Sequence, residues 1–369
     1  MAGDAQSAWI AAGASIIVSF VSLGAAAWTS IRARRTARDL AVLQHRLDEE
    51  QDAAKARRDY EYEARKRLYA ELYPLAYQLQ QAARHARHRI MNLALAARIG
   101  ALAEGPDNWL TGRDPYYFTS VVHNLVAPLA IHELITRKLT LLDLTLDPDL
   151  QRQHLIAGRA YEALRSDFNL TDPRYPPIVF GSTAARYAPP EDPPAALPPE
   201  PEQRSACRQG LYSGQISQAV DAMLTTDGPT TRTTTYAEFA KALGGADLRT
   251  ADEPWGQAGE MKRALRPVAD IFRAFHPACR PVTWRILLAQ AACYRALAAA
   301  ETAGGTFANI LRAARFAAAE DRAPFDWIGD GTRSIPAALR NHVDFAAEQE
   351  SAFTAADLFL ENVLKDLAD

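Results

Sequence analysis

Between Asp4 and Arg32 the chain runs for 27 residues without a formal charge, with Trp9, Ile10, Ile16, Ile17, Val18, Phe20, Val21, Leu23 and Trp28 set among Ala and Gly. At about 1.5 Å of rise per residue, roughly 20 such residues cross a hydrocarbon layer about 30 Å thick. The pattern predicts a transmembrane helix over residues 8–29. Trp9 and Trp28 fall near its two ends, the level at which indoles settle between headgroup and hydrocarbon. Only Asp4 precedes the span in an external segment of residues 1–7, whereas Arg32, Arg34, Arg35 and Arg38 follow it at once. Positive flanks stay on the cytoplasmic side. The expectation is a single pass through the cell inner membrane or plasma membrane, N-terminus outside and the long remainder in the cytoplasm. A cleavable secretory signal is the alternative, because Ala25-Ala26-Ala27 offers a small-residue site, but such a signal opens with basic residues and this one opens with Asp4. Ala11, Ser15 and Ser19 recur every four residues, a small-residue stripe along which two helices approach closely.

After the arginines the pattern changes. From Thr36 to Arg98 there is no Gly and one Pro, Pro74, in a stretch dense in Ala, Arg, Glu, Leu and Gln, all good helix formers. Residues 30–73 read as a juxtamembrane helical rod. Leu40, Leu43 and Leu47 begin an apolar seam that resumes at Ala64, Leu68, Leu75, Leu79, Ala82 and Ala86. Residues 48–67 in between hold seven acids and six bases. They predict a solvated helix laced by pairs such as Glu61 with Arg65 and Glu63 with Arg67. A sustained coiled coil keeps its seam apolar over three or four heptads. This one lapses after one, so a self-associating stalk and a spacer helix both fit. Pro74 is expected to kink the helix or open a new one.

Two helical lobes follow. In the first, residues 74–172, a buried stripe through Val121, Val122, Leu125, Leu129, Leu134 and Leu142 predicts helix over residues 116–146, split by Pro128, with one more helix over 149–168. Ten of the chain's 22 prolines lie between Pro173 and Pro201, which predicts an extended linker over residues 173–201. In the second lobe, residues 202–369, Thr235-Tyr236-Ala237-Glu238 is a capping box for a short helix that stops at Gly244-Gly245. Thr283 is expected to cap a helix over 284–301, Ser334 with Pro336 to open another, and Thr354 with Asp357 the last. Runs of alternating β-branched residues are nearly absent, so the fold class is all-α: an N-terminal transmembrane helix, a long juxtamembrane rod and a two-lobed body.

Composition adds limits. With 369 residues, 48% hydrophobic, 23% charged and a net charge of -3, the chain belongs with folded globular proteins. Cys207, Cys279 and Cys293 show no CxxC spacing, which points to a reducing cytosol and to neither a disulfide framework nor a zinc site. Arginine outnumbers lysine 35 to 6, a ratio that a coding bias toward Arg and Ala explains more simply than phosphate recognition.

No G-x-S-x-G, Walker A, G-x-G-x-x-G, H-E-x-x-H or EF-hand pattern occurs. His132-Glu133 has Thr136 where a second histidine would stand. Arg84, His85, Arg87, His88 and Arg89 form a basic patch that could meet an anionic ligand, and a solvated basic helix face is its simpler reading. The carboxylates Asp143, Asp326 and Asp330, with His276, are the candidates for acid/base or metal chemistry. The same acids at helix starts and turns are more simply caps. His276 with Arg280, Trp284 and Arg285 reads as a helix–helix corner. No metal and no cofactor is expected.

Arg65-Lys66-Arg67-Leu68-Tyr69 through Leu72-Tyr73-Pro74-Leu75, Tyr116-Tyr117-Phe118, Ala127-Pro128-Leu129-Ala130 and Leu139-Thr140-Leu141-Leu142-Asp143-Leu144 resemble segments of uncharacterised bacterial proteins. Phe275-His276-Pro277 with Arg280-Pro281-Val282 and Trp284-Arg285 looks similar too. The resemblance implies the layout alone, one N-terminal membrane helix and a helical cytosolic body. The expected function is that of a membrane-anchored interaction or effector module, a layout that suits defence or stress signalling. Its partners are membrane lipid and a protein, or a second copy of the chain; nucleic acid is not an expected partner, because the residues beyond 100 carry a net charge of -8. The alternative is a membrane-tethered enzyme, hydrolase or nuclease, with a non-standard carboxylate/His site.

Overall fold

The computed structural model describes residues 3–103, 107–112, 114–165, 179–180, 185–186, 209–228, 230–245, 247–249, 257–273, 275–302, 306–329, 335 and 344–365, without the side chains of 3–12, 14–18, 141, 179–180, 185–186, 230, 257–258 and 301–302. The chain is mostly helical and divides into two compact units, Met1–Lys66 and Arg67–Asp369.

The first unit is one stretch of helix α1, which runs from Gly3 to Arg98. Every residue from Ser19 to Tyr60 is exposed. Its ion pairs differ from the expected ones: Glu61 meets Arg57 at 3.1 Å rather than Arg65, and Glu63 meets Lys66 at 3.8 Å rather than Arg67. Bases stand on both sides of each acid, and exposed pairs are worth so little that the choice among them is soft.

In the second unit, Leu68, Leu72, Leu79, Ala83, Ala86 and Ile90 form the buried stripe of α1. Helix α1 passes Pro74 as one element. Helix α2, Tyr116–Lys138, likewise continues through Pro128, where a split was expected. Pro removes one helical hydrogen bond and costs about 3 kcal/mol in a helix interior. Residues 125–131 are all buried, so packing on both sides outweighs that loss. Among the described residues α2 is the one helix long and apolar enough to cross a membrane. It is 72% buried inside the protein, as the core helix of a body would be.

Helix α3, Pro148–Ala163, is capped by Asp147, whose carboxylate accepts the N–H groups of Asp149 and Leu150. Two short antiparallel pairs interrupt the helical pattern. Strands β1, Val179–Phe180, and β2, Ala185–Arg186, are the only described part of the expected linker. Helix α4, Ser213–Ala222, leads into β3, Leu224–Asp227, and β4, Thr230–Thr233. Their turn begins at Gly228, φ 57°, a backbone angle that glycine adopts without strain. This hairpin, on the threonine run after Gly228-Pro229, is a small exception in a mostly helical chain that fits the all-α class. Helix α5, Tyr236–Ala242, opens on the capping box, with both halves formed by Thr235 and Glu238.

Helix α6, Gln257–Phe272, precedes the central helix α7, Pro281–Thr302. Nearly all of α7 is buried, from Val282 and Trp284 to Ala300, because it is apolar on every side. It starts before the expected Thr283 cap. Its N-terminal N–H groups are received by a distant side chain: Gln209 Oε1 accepts from Val282 at 3.0 Å and Thr283 at 3.2 Å, while Thr283 Oγ1 donates to Gln209 O at 2.9 Å. Helix α8, Phe307–Ala314, the single turn α9, Ala319–Arg322, and helix α10, Phe345–Lys365, complete the body. Asp344 precedes helix α10 and accepts from Ala346 and Ala347 at 3.1 Å, ten residues before the expected cap at Thr354. Ser334 and Pro336 lie outside the described residues.

The stretches expected as two lobes share one core, in which α3 and α10 both pack on α7. Gln290 donates across it to Ala160 O at 3.1 Å. Leu211 N–H donates to Leu164 O at 2.8 Å, so the chain returns beside the point where it left.

Candidate functional site

The N-terminal segment is helical throughout residues 8–29. The side chain of Trp9 lies outside the described ones. Phe20, Val21, Leu23 and Trp28 are 72%, 66%, 68% and 63% exposed. A soluble domain rarely leaves such a contiguous apolar surface uncovered. The hydroxyls beside it turn inward: Thr29 Oγ1 donates to Ala25 O at 2.9 Å and Ser30 Oγ to Ala27 O at 2.8 Å. That satisfies their O–H groups within the helix, as an apolar medium requires. The Arg32 guanidinium lies over the Trp28 ring at 5.3 Å, a cation–π contact at the expected boundary. Arg34, Arg35 and Arg38 are exposed one turn further on.

The basic patch on α1 divides. Arg84, His85 and His88 are exposed, whereas Arg87 lies over the Phe325 ring at 5.6 Å and Arg89 over Tyr117 at 5.0 Å. Burial holds the Arg87 guanidinium below its ordinary pKa, with Arg295 adding to the effect, and pushes the Tyr117 hydroxyl up to about 12. Arg87 and Arg89 therefore serve packing.

Asp143 is exposed, and its carboxylate accepts from Thr145 N–H at 2.9 Å and Thr145 Oγ1 at 2.7 Å. Those bonds lower its pKa. It shapes a turn before Leu144. Asp326 Oδ1 accepts from Ile328 N–H at 2.8 Å, closing the turn around Trp327. Asp330 lies outside the described residues. Next in that loop, Gly329 sits against α1: a Cβ there would meet Arg98 Cγ at 2.8 Å and Arg98 O at 3.2 Å, so only glycine fits. The loop seats Trp327, which is 1% exposed and whose backbone N–H donates to Gln349 Oε1 at 3.1 Å.

His276 is buried beside that tryptophan, ring centroids 5.6 Å apart and planes at 84°. Ala278 N–H donates to its Nδ1 at 3.1 Å, which places the ring proton on Nε2. Burial pushes its pKa down to about 4, so the ring is neutral near pH 7. A general base is most effective with a pKa near the working pH, and this ring is far from it. Trp284 packs with Phe275 at 6.5 Å, and Arg280 is buried with its pKa lowered to about 10.

The fold also brings together groups that the sequence kept apart. His132 on α2 stacks on His154 on α3, ring centroids 4.7 Å apart at 27°. Burial, with a smaller contribution from His154, pushes the His132 pKa down to about 3. His154 also lines a recess with Leu72, Ala76, Leu79, Ile135, Leu150 and Gln153. Its volume of 10 Å³ is room for about one water. Among the described residues no three His, Cys, Asp or Glu side chains gather as metal ligands would. Arg285 and Glu348, on α7 and α10, meet in the core. No local pattern predicts either pair, since each joins separate helices.

Among the described residues, the exposed apolar side chains of α1 around Trp28 run directly up to a cluster of arginines. Comparison with protein-family models, with curated proteins and with solved structures finds no match to this chain.

Proposed function

We propose that the chain is a single-pass membrane-anchored protein, N-terminus outside, whose cytoplasmic helical body is an interaction or effector module. The observation that carries this reading is the exposed apolar surface of Phe20, Val21, Leu23 and Trp28, bounded by Arg32, Arg34, Arg35 and Arg38 on the same helix. Removing about 25 cal/mol per Å² of apolar surface from water drives such a helix into lipid, and the arginines set its orientation. The interaction role draws on a second surface. Tyr69, Tyr73 and Tyr77, at i, i+4 and i+8 on α1, are exposed, and Tyr69 and Tyr73 meet edge to face at 4.9 Å. Tyrosine is enriched where proteins bind one another.

Extraction of membranes from expressing cells tests the anchor. The full chain is expected to resist alkaline carbonate and high salt and to dissolve only in detergent. In inverted vesicles the body is expected to be open to protease. Recovery of the intact chain in the carbonate supernatant would remove the anchor from this reading.

A further inference from the structure

Helix α1 leaves Leu40, Leu43 and Leu47 uncovered, at 60%, 55% and 53% exposure. Stepping back from Leu47 by alternate intervals of four and three residues meets these leucines and then Thr36, Ala33, Thr29, Ala26, Ser22 and Ser19. The same spacing continues to Ala8. Every seam position from Ala8 to Thr36 is Ala, Ser or Thr. None of the large apolar residues of the span, Phe20, Val21, Leu23 and Trp28 among them, falls on the seam.

A straight helix drifts about 20° per heptad from such a spacing. A lone helix therefore cannot hold this seam on one face over its length, whereas two helices in a left-handed supercoil can. The chemistry of the seam also changes where its surroundings change. Within the apolar span, lipid competes equally for large apolar side chains, and helices associate through small residues that let backbones approach. Beyond Arg32–Arg38 water is the competitor, and there the seam becomes leucine.

We propose that this face binds a second copy of the same chain, parallel and in register. The parallel sense rests on the membrane anchor proposed above, since two copies inserted alike can pair only in the same direction. In such a pair Asp39 faces Gln44 and Arg46 faces Gln51, so no like charges meet along the leucine portion. The next positions on the seam include Glu50 and Arg57, which would face their own copies and end the pairing after Leu47. From Ala8 to Leu47 the seam is about 60 Å long and roughly 10 Å wide. That is about 600 Å² per copy and about 1,200 Å² in the pair, the lower limit of a stable interface.

Disulfide cross-linking of the full chain in native membranes tests the seam. Leu40→Cys, Leu43→Cys and Leu47→Cys are compared with Ala41→Cys, Val42→Cys and His45→Cys, with the parent chain as background. Covalent dimer several-fold above background at 40, 43 and 47, and near background at 41, 42 and 45, is the expected result. A flat profile, or one that peaks at 41, 42 or 45, overturns the proposal. Leu43→Arg is expected to lower the detergent-solubilised mass from two copies to one while Val42→Arg leaves it at two; equal masses for both variants would also overturn it. Both positions are exposed and lie in the first unit, Met1–Lys66. If the chain cross-links with this period yet is recovered without detergent, the anchor is wrong and the seam stands. If it stays in the membrane with a flat profile, the seam is wrong and the anchor stands.

Discussion

Arg285 on α7 donates from Nη2 to Glu348 Oε1 on α10 at 2.5 Å, with only 1% and 4% of the two side chains exposed. Arg285 Nη2 also reaches Ser351 Oγ at 3.3 Å. This ion pair crosses the centre of the body. Taking two charges out of water is expensive, and a buried pair can do little more than compensate for it. Removing one partner is another matter.

Glu348→Ala is expected to destabilise the body by about 3–5 kcal/mol, because it strands a guanidinium among α7 and α10 side chains. The double replacement Arg285→Met with Glu348→Leu is expected to recover most of that loss. Thermal unfolding of the detergent-solubilised chain distinguishes them. A double variant no more stable than the single would show that the pair itself, rather than the stranded charge, holds the helices.

Acid should loosen the body through its histidines. In the unfolded chain an imidazole titrates near ~6.5, whereas burial holds His132 at about 3 and His276 at about 4. Their folded pKa values are depressed, so as pH falls below ~6.5 the unfolded state takes up protons that the native state refuses. Stability is full above that pH and drops steadily toward pH 4. Each ring is expected to remove about 2 kcal/mol between pH 7 and pH 5. Denaturant midpoints measured across that range should show the slope, and His132→Asn should reduce it.

Gln209→Ala is expected to destabilise α7 by about 1–3 kcal/mol, since it leaves buried N–H groups of Val282 and Thr283 without their acceptor. Faster hydrogen exchange at those two amides, with the rest of α7 protected, is the specific readout. Unchanged exchange there would mean that another group caps the helix.

Cys293 is fully buried, and burial pushes its thiol up to about 12. It should resist iodoacetamide in the native body and react once the body unfolds, since the thiolate is the reactive form. Mass mapping of alkylated peptides before and after denaturation checks this. Modification of Cys293 under native conditions would mean that α7 opens far more readily than its packing implies.

Where structure is set by neighbours in sequence, the residues themselves announced it. Thr235 and Glu238 cap α5 on each other, and the alternation through Val121, Val122, Leu125 and Leu129 described the buried face of α2. Where a distant group decides, the local pattern does not reveal it. The start of α7 is fixed by Gln209, more than seventy residues earlier, and the local Thr283 instead bonds back to it. Thr354 and Asp357 imitate a helix start yet stand inside α10, where Asp357 accepts the Phe316 N–H at 2.8 Å. The stacked histidines and the Arg285–Glu348 pair join different helices, so no spacing could reveal them. The exposed face of α1 is the opposite case, since its period is written wholly in the chain.

The bond from Leu211 N–H to Leu164 O has a practical corollary. The loop from Leu164 to Leu211 begins and ends beside one bond. Its closure depends only weakly on its length. A Gly/Ser bridge that joins Arg165 directly to Gln209 keeps the side chain that receives the α7 N–H groups, and the melting temperature of that variant reads out what the intervening residues contribute to the body.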